Sequence, residues 1–475
     1  MENGRVAAVG ENLAAENVQV IDASGKVVAP GFIDMHCHLS DPGQEYKEDL
    51  ISGTKAAARG GFTGVCCMPN THPVNDNAAV TRYILEKAQW QGSGVHVYPV
   101  GAISKGLEGK EMAEIGRMKQ AGIIAISDDG KPVTNSNLLR LAMQYLYDSQ
   151  GMHGLIKIWG GDWNDGMNWA GLKGNGVSVW LSIAWYRANR LFIELANLIG
   201  ETELVSKHTE MGETMRQRIE KYGFDKDHYL TAINDDGKKI GAWESDACKM
   251  WLNPQSWAVM AQIAPKEKLL EVMAAVDDYL ECPYGTKINR PAYTECDPTI
   301  GNFTRQPAGT LLNESVYLQP LAWKIAADAI LGRRDKMQMS IEKLLPWNHK
   351  YAVTVGEPYI LYNFYHTDEA GYRAGTPGQS WRTATAQCFI RTMVRFVYGL
   401  VPTMEGLRLE PVLPPDWEEC EITKEFRGCR YDIAYHQKKE GEGIIERIIV
   451  DSVEITGNLL PYNKDREYKV EVFLK

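Results

Sequence analysis

The stretch Gly31-Phe-Ile-Asp-Met-His-Cys-His38 sets the fold of the first third of the chain. A short apolar run ends abruptly in polar residues, the pattern of a buried strand whose C-terminal end reaches a surface. The pattern recurs in Phe62-Thr-Gly-Val-Cys-Cys-Met68, Val95-His-Val-Tyr-Pro-Val100 and Ile123-Ile-Ala-Ile-Ser127, with helical stretches at 45–58, 78–91 and 109–119 between the runs. Strands alternating with helices predict parallel β/α units, and chain polarity puts the chemistry at the strand C-termini. His36, His38, Asn70 and the pair Asp128-Asp129 all stand there. A closed barrel needs eight such units and the sequence supplies four, so residues 31–148 read as part of a β/α barrel with an exposed sheet edge.

Upstream, alternation through 18–22 and 26–30 predicts short strands of a small sheet over residues 1–30. Downstream of about residue 149 the rhythm turns helical, at 177–199, 203–222, 266–280, 321–331, 337–345 and 383–398. Loops rich in Gly, Trp, Asn and Pro separate these stretches, and residues 149–399 are predicted to form part of a barrel of α-hairpins with a site at its loop end. From residue 400 the pattern returns to strands, predicting a C-terminal β-sandwich over 400–475. The fold class is therefore mixed. Tryptophan marks the change: of 13 in the chain, only Trp90 precedes residue 149.

Composition narrows the function classes. With 44% hydrophobic and 24% charged residues, the chain reads as soluble and globular. A net charge of -10 without a basic cluster argues against nucleic acid as a partner. No apolar run reaches membrane-spanning length and the N-terminus lacks a signal-peptide pattern, so the expected location is cytoplasmic, away from any membrane. Nine cysteines without Cys-x-x-Cys spacing predict reduced thiols.

Two imidazoles in His36-x-His38 leave a strand on one side because side chains alternate, and with an aspartate from another strand they can grip one divalent ion. The surrounding motifs, including Met68-Pro-Asn-Thr and Ser127-Asp-Asp-Gly-Lys-Pro-Val, closely resemble the dihydroorotase branch of the amidohydrolases over residues 1–146. The resemblance implies a metal-activated hydroxide acting on a cyclic amide. It makes His36, His38 and Asp129 metal ligands, zinc being the implied metal, and gives Asn70 a share in holding the substrate carboxylate. Two departures stand out. Ser40 occupies the position of the family's carboxylate-clamping arginine, and no further histidines or catalytic aspartate follow the fourth strand, the next histidine being His153. Both ends of this module read as clipped.

The second constellation is Trp159-Gly-Gly-Asp-Trp-Asn-Asp-Gly-Met-Asn168. One reading is a capped loop in which Asp162 satisfies a helix N-terminus. The other is a sugar site, with an indole to stack on a pyranose and a carboxyl to address a glycosidic oxygen. The motif resembles the glycoside hydrolase family 94 of cellobiose and chitobiose phosphorylases. So do Ser380-Trp-Arg-Thr-Ala-Thr-Ala386 and Gly406-Leu-Arg-Leu-Glu-Pro-Val-Leu-Pro-Pro-Asp-Trp417, which extend the resemblance over about 148–475. It implies an (α/α)6 catalytic barrel, an α-sugar 1-phosphate as product and inorganic phosphate as co-substrate. Asp165 becomes the general acid, Trp163 a sugar-subsite wall and Thr385 a phosphate-binding residue. A homodimer is a further implication. Gln319 stands where the family has a phosphate-contacting histidine, with Arg373 or Arg382 as candidates to compensate.

Three functional expectations follow. The first is an inverting disaccharide phosphorylase of that family, truncated and fused. The second is a metal-dependent cyclic amidohydrolase of the dihydroorotase type, lacking half its ligands. The third is an inert fusion product.

Overall fold

In the computed structural model, residues 10, 20, 31–90, 93–129, 131, 150–346, 356–357, 360–379, 384–439, 441–463 and 465–475 are described. The strands expected in 18–30 fall outside that set, as do Arg382 and residues 380–383. The chain divides into two compact units, Met1–Ala142 and Met143–Lys475.

The four apolar runs of the first unit form β1 (Phe32–Cys37), β2 (Phe62–Cys67), β3 (His96–Gly101) and β4 (Ala125–Ile126). They lie in one sheet in the order β1-β2-β3-β4, every pair parallel. Between them run α1 (Leu50–Arg59), α2 (Ala78–Gln89) and α3 (Ile115–Ala121). α1 starts five residues later than its sequence pattern because Asp49 caps it, accepting from Ser52 N at 2.7 Å. α3 is shorter than expected because Asp128 pins the preceding loop, accepting from the backbone N–H groups of Ile103 and Ser104 at 2.8 and 3.0 Å. The core of this unit is small, built from Leu39, Leu50, Val65, Ile84, Val97 and neighbours. Edge strand β1 leaves Phe32, Ile33 and Met35 about 60% exposed, at 62%, 59% and 64%.

The second unit opens with helical hairpins. α4 (Val179–Leu198) turns into α5 (Thr202–Tyr222), α6 (Leu252–Ala261) into α7 (Lys266–Leu280), and α8 (Leu318–Leu331) into α9 (Arg334–Leu344). The short connections make the members of each pair antiparallel neighbours. α10 (Thr385–Thr392) follows and runs on into a wider π turn at Met393–Val397. α4, α6, α8 and α10 pack side by side. Trp180 in the first turn of α4 meets Trp257 and Trp323 in the second turns of α6 and α8, and the last turns of α6 and α8 share a cavity with Arg187 and Arg190 farther along α4, so these helices run parallel. α6 was not legible as a helix: Asn253 and Pro254 in its first turn obscure the period, though a proline there costs no hydrogen bond.

From residue 400 a two-stranded ribbon, Leu400–Pro402 with Leu407–Leu409, leads into a five-stranded sheet. Its strands are β5 (Glu419–Phe426), β6 (Cys429–Gln437), β7 (Ile445–Val450), β8 (Val453–Ile455) and β9 (Glu467–Leu474), in the order β5-β6-β9-β7-β8. Alternation puts Tyr431, Ile433 and Tyr435 of β6 and Tyr468, Val470 and Val472 of β9 on one buried face. That face shares a single core with Leu321, Ile325, Met337 and Ile341 of α8 and α9. Arg334 adds polar links by donating to Leu413 O at 2.7 Å and to Gly441 O and Gln437. The C-terminal sheet is thus bound to the helices by a common hydrophobic layer.

Two consequences are measurable. Leu321→Ala, at a fully buried position, should cost about 3 kcal/mol in urea unfolding followed by tryptophan fluorescence. Converting Ile33 and Met35 to Lys should lower the light scattering of concentrated protein, because the exposed apolar edge of β1 then carries charge; unchanged scattering would show that this edge does not drive association.

Candidate functional site

The second-unit motif is a loop held by its own side chains. Asp162 Oδ1 accepts from Asn164 N at 2.8 Å, and Asn164 Oδ1 accepts from Gly166 N at 3.1 Å. Asp162 Oδ2 accepts from Ser178 Oγ at 2.5 Å, while the same hydroxyl oxygen accepts from Leu181 N at 2.9 Å as the N-cap of α4. Asp162 does serve a helix N-terminus, but through the capping serine. Burial pushes its carboxyl up to about 6, with the Asp165 charge acting in the same direction.

Asp165 opens the next short turn and is open to solvent on one side. Protein crowding on the other side raises its carboxyl above the usual range. The Tyr317 hydroxyl is raised chiefly by burial and also by the Asp165 charge, and it hydrogen-bonds Asn363. Trp163 stands edge-on to Tyr317 at 5.5 Å and to Trp323 at 5.2 Å. Trp180 and Trp257 extend this wall. Acid, indole and phenol therefore converge where α4 and α8 begin.

Thr385 is fully buried at the first residue of α10. One turn along the same helix Cys388 Sγ lies 3.4 Å from the amide nitrogen of Gln319, which stands in the first turn of α8. Arg373 sits on a 3-10 turn beside His366 and helps burial lower that imidazole below its ordinary value. The His366 ring meets Thr376 O at 2.8 Å through Nδ1. Tyr317, Asn363 and the tryptophans of the inner helices were missed as site residues. The excess of Trp after residue 149 was their sequence signal, but their grouping comes only from helices side by side.

In the first unit, His36, His38 and Asp129 meet. His36 Nε2 is 3.2 Å from Asp129 Oδ1, and His38 Nε2 is 3.6 Å from Asp129 Oδ2. One ligand atom from each of the three lies within 4.8 Å of the others. His38 Nδ1 is 2.9 Å from Asn70 Oδ1, so Nδ1–H donates to the amide and the Nε2 lone pair turns toward Asp129. Two imidazole nitrogens and a carboxylate converging on one point make a donor set that suits zinc. Asn70, expected at a substrate carboxylate, here orients a histidine. Cys37 points to the other face, where burial, then Asp34 and Cys66, push its thiol up to about 12; it stays protonated at neutral pH. Asp128 turns inward to Ser104, leaving Asp129 as the outward carboxylate of the pair. His153 stacks on Tyr222 within the second unit at 4.2 Å.

Residues 107–399 match the model of the glycosyl hydrolase 94 superfamily, catalytic domain. The chain belongs to that superfamily. Residues 25–152 match the dihydro-orotase-like family, so the change of likeness falls within 107–152. A solabiose phosphorylase of Paenibacillus borealis is 33% identical over 337 residues, covering 70% of this chain and 44% of that protein. A dihydroorotase of Geobacter metallireducens is 58% identical over 146 residues, 30% of this chain and 34% of that protein. One of Trichlorobacter lovleyi is 57% identical over the same length. The chain thus spans less than half of each of these relatives and joins a dihydroorotase-like piece to a phosphorylase-family piece. Among the described residues no helix is long and apolar enough to cross a membrane.

The raised carboxyl of Asp162 has a checkable sign. Its value in the folded protein, about 6, lies above the ordinary 3.8, so the native state holds the extra proton and stability falls as pH rises through that window. Asp162→Asn removes this dependence. Discounted for residual exposure, stability should shift toward the variant by about 2 kcal/mol between pH 4 and 7. Urea unfolding at four pH values reads the difference, and parallel curves for the two proteins would refute it.

Proposed function

We propose that the second unit catalyses phosphorolysis of a β-linked disaccharide with inversion, releasing an α-sugar 1-phosphate. The observation that carries this reading is Asp165: its carboxyl is raised by crowding, open to solvent on one side and flanked by an indole and a phenol. A carboxyl held above its usual range retains its proton nearer neutrality, as a general acid requires. A phosphate oxygen attacks the anomeric carbon, the glycosidic C–O bond breaks, and the Asp165 proton passes to the departing oxygen. Phosphate already bears charge at neutral pH, so no second carboxylate is needed to activate it, in contrast to inverting hydrolysis. Thr385, at the start of α10, binds phosphate, and Gln319 beside the same helix assists with a neutral amide; Arg373 is a further candidate contact. Trp163 lines the sugar subsite. The helical hairpins belong to an (α/α)6 barrel and the C-terminal sheet to a β-sandwich, with boundaries near residues 149 and 400. The printed name of the Paenibacillus relative makes solabiose the first substrate to assay.

Phosphate-dependent release of sugar 1-phosphate should fall about a thousandfold in Asp165→Asn, while Thr385→Val should chiefly raise KM for phosphate. Equal rates in wild type and Asp165→Asn would sink the assignment.

The cluster in the first unit supports a second reading, a remnant of a metal-dependent cyclic amidohydrolase on part of a TIM-like barrel. His36, His38 and Asp129 would hold the ion, which supplies Lewis acidity when bound. Asn70 fixes the tautomer of His38. Metal analysis after dialysis against zinc should give about one ion per chain, falling to none in His36→Ala/Asp129→Ala; zinc retained by the double variant would place the ion elsewhere.

A further inference from the structure

Between the middle of α4 and the C-terminal ends of α6 and α8, a cavity of about 400 Å³ is lined by Arg187, Arg190 and Arg395 with Glu194, Glu410 and Met260 among its walls. Arg391, one turn before Arg395, adds its charge to the same field. Among the described residues none of these four arginines has a carboxylate within salt-bridge distance, whereas Glu410 is paired with Arg408 at 3.4 Å. Three guanidinium groups without a carboxylate partner in one concavity, with a fourth nearby, make a field that attracts an anion.

A purely structural account covers part of this cluster. Arg187 donates to Met260 O and Arg190 to Ala261 O at 2.7 Å, closing the end of α6. Each uses one nitrogen of a five-donor fork for this. Arg391 is exposed and Arg395 half-buried, and neither has a comparable partner among the described residues. Arg395 only lies over the Phe396 ring at 5.7 Å.

We propose that this cavity binds a small ligand bearing two or more phosphoryl groups, at a site separate from the one around Asp165. The volume suits a ligand of metabolite size. Guanidinium forks match phosphoryl oxygens two bonds at a time, and the three that line the cavity, with Arg391 nearby, outnumber Glu194 and the Arg408-paired Glu410, which favours a multiply charged anion over a monoanion. Arg187 itself is held down to about 10 by burial and then by Arg395, Arg391 and Arg190, a crowding of positive charge that a bound polyanion relieves. Arg395 lies ten residues beyond Thr385, roughly 15 Å along the helix axis, so one phosphoryl group cannot occupy both places.

The test uses the full chain with inorganic tripolyphosphate as probe, in calorimetric titrations at about 0.15 M salt, where long-range screening removes diffuse attraction. The expected result is one site per chain, with binding at least about tenfold weaker in Arg391→Gln/Arg395→Gln and unchanged in Thr385→Val. A readout without any variant comes from phenylglyoxal labelling followed by peptide mass spectrometry. Tripolyphosphate should protect Arg391 and Arg395 while leaving the exposed Arg82 reactive. Absence of binding, equal binding by the double variant, loss of binding in Thr385→Val, or uniform labelling of all arginines would each overturn the proposal. Because Asp165 takes no part, failure of the phosphorolysis assay leaves this outcome untouched.

Discussion

The hydroxyl of Ser178 does two jobs, and the phosphorylase-like site depends on both. As an acceptor it starts α4; as a donor it fixes the Asp162 carboxylate. The motif loop is thereby attached to the first turn of a twenty-residue helix, and Asp165, three residues on, inherits its position from that attachment. A loop with two acids and three glycines would otherwise pay a large conformational entropy to hold one geometry. Asp162 therefore acts on the site as a positioning residue.

Much of this was written locally in the sequence. The four strands of the first unit appear where apolar runs stop at polar residues, because burial and termination are properties of adjacent residues. His36, His38 and Asp129 were legible as a group for the same reason: each sits at or beyond the C-terminal end of a parallel strand, and the sheet order brings those ends to one side. The helices with one apolar stripe were equally readable. α6, buried nearly all round, was not, since a helix without a polar face has no period to detect. Nor was the aromatic wall around Trp163, whose members come from residues 163 to 323 and meet only through helix packing. β5 was not legible because its exposed positions carry Glu and Thr and its inward ones, which include Lys424, are only half-buried.

The two units manage their edges differently. The C-terminal sheet hides one face completely, sharing Leu321, Ile325 and Tyr435 in a layer with α8 and α9. The first unit has a core of a few aliphatic side chains and leaves apolar residues of β1 exposed. Its cluster of two histidines and an aspartate is therefore carried by the less well-covered of the two scaffolds, and those histidines are themselves 58% and 42% exposed. The larger unit carries its candidate acid on loops braced against long helices.

The parallel course of α4, α6, α8 and α10 gives these inner helices a common electrical direction that belongs to the backbone. Each helix carries a dipole equivalent to roughly half a unit charge at either end. Aligned, the four helices present partial positive charge on the side where Trp163, Asp165 and Thr385 lie, before any side chain contributes. At the opposite end of α6 the last carbonyls carry partial negative charge, and Arg187 and Arg190 of α4 donate to two of them. The antiparallel helices α5, α7 and α9 cancel this field over the domain as a whole, so a charged ligand meets it only within about a turn of the inner-helix ends.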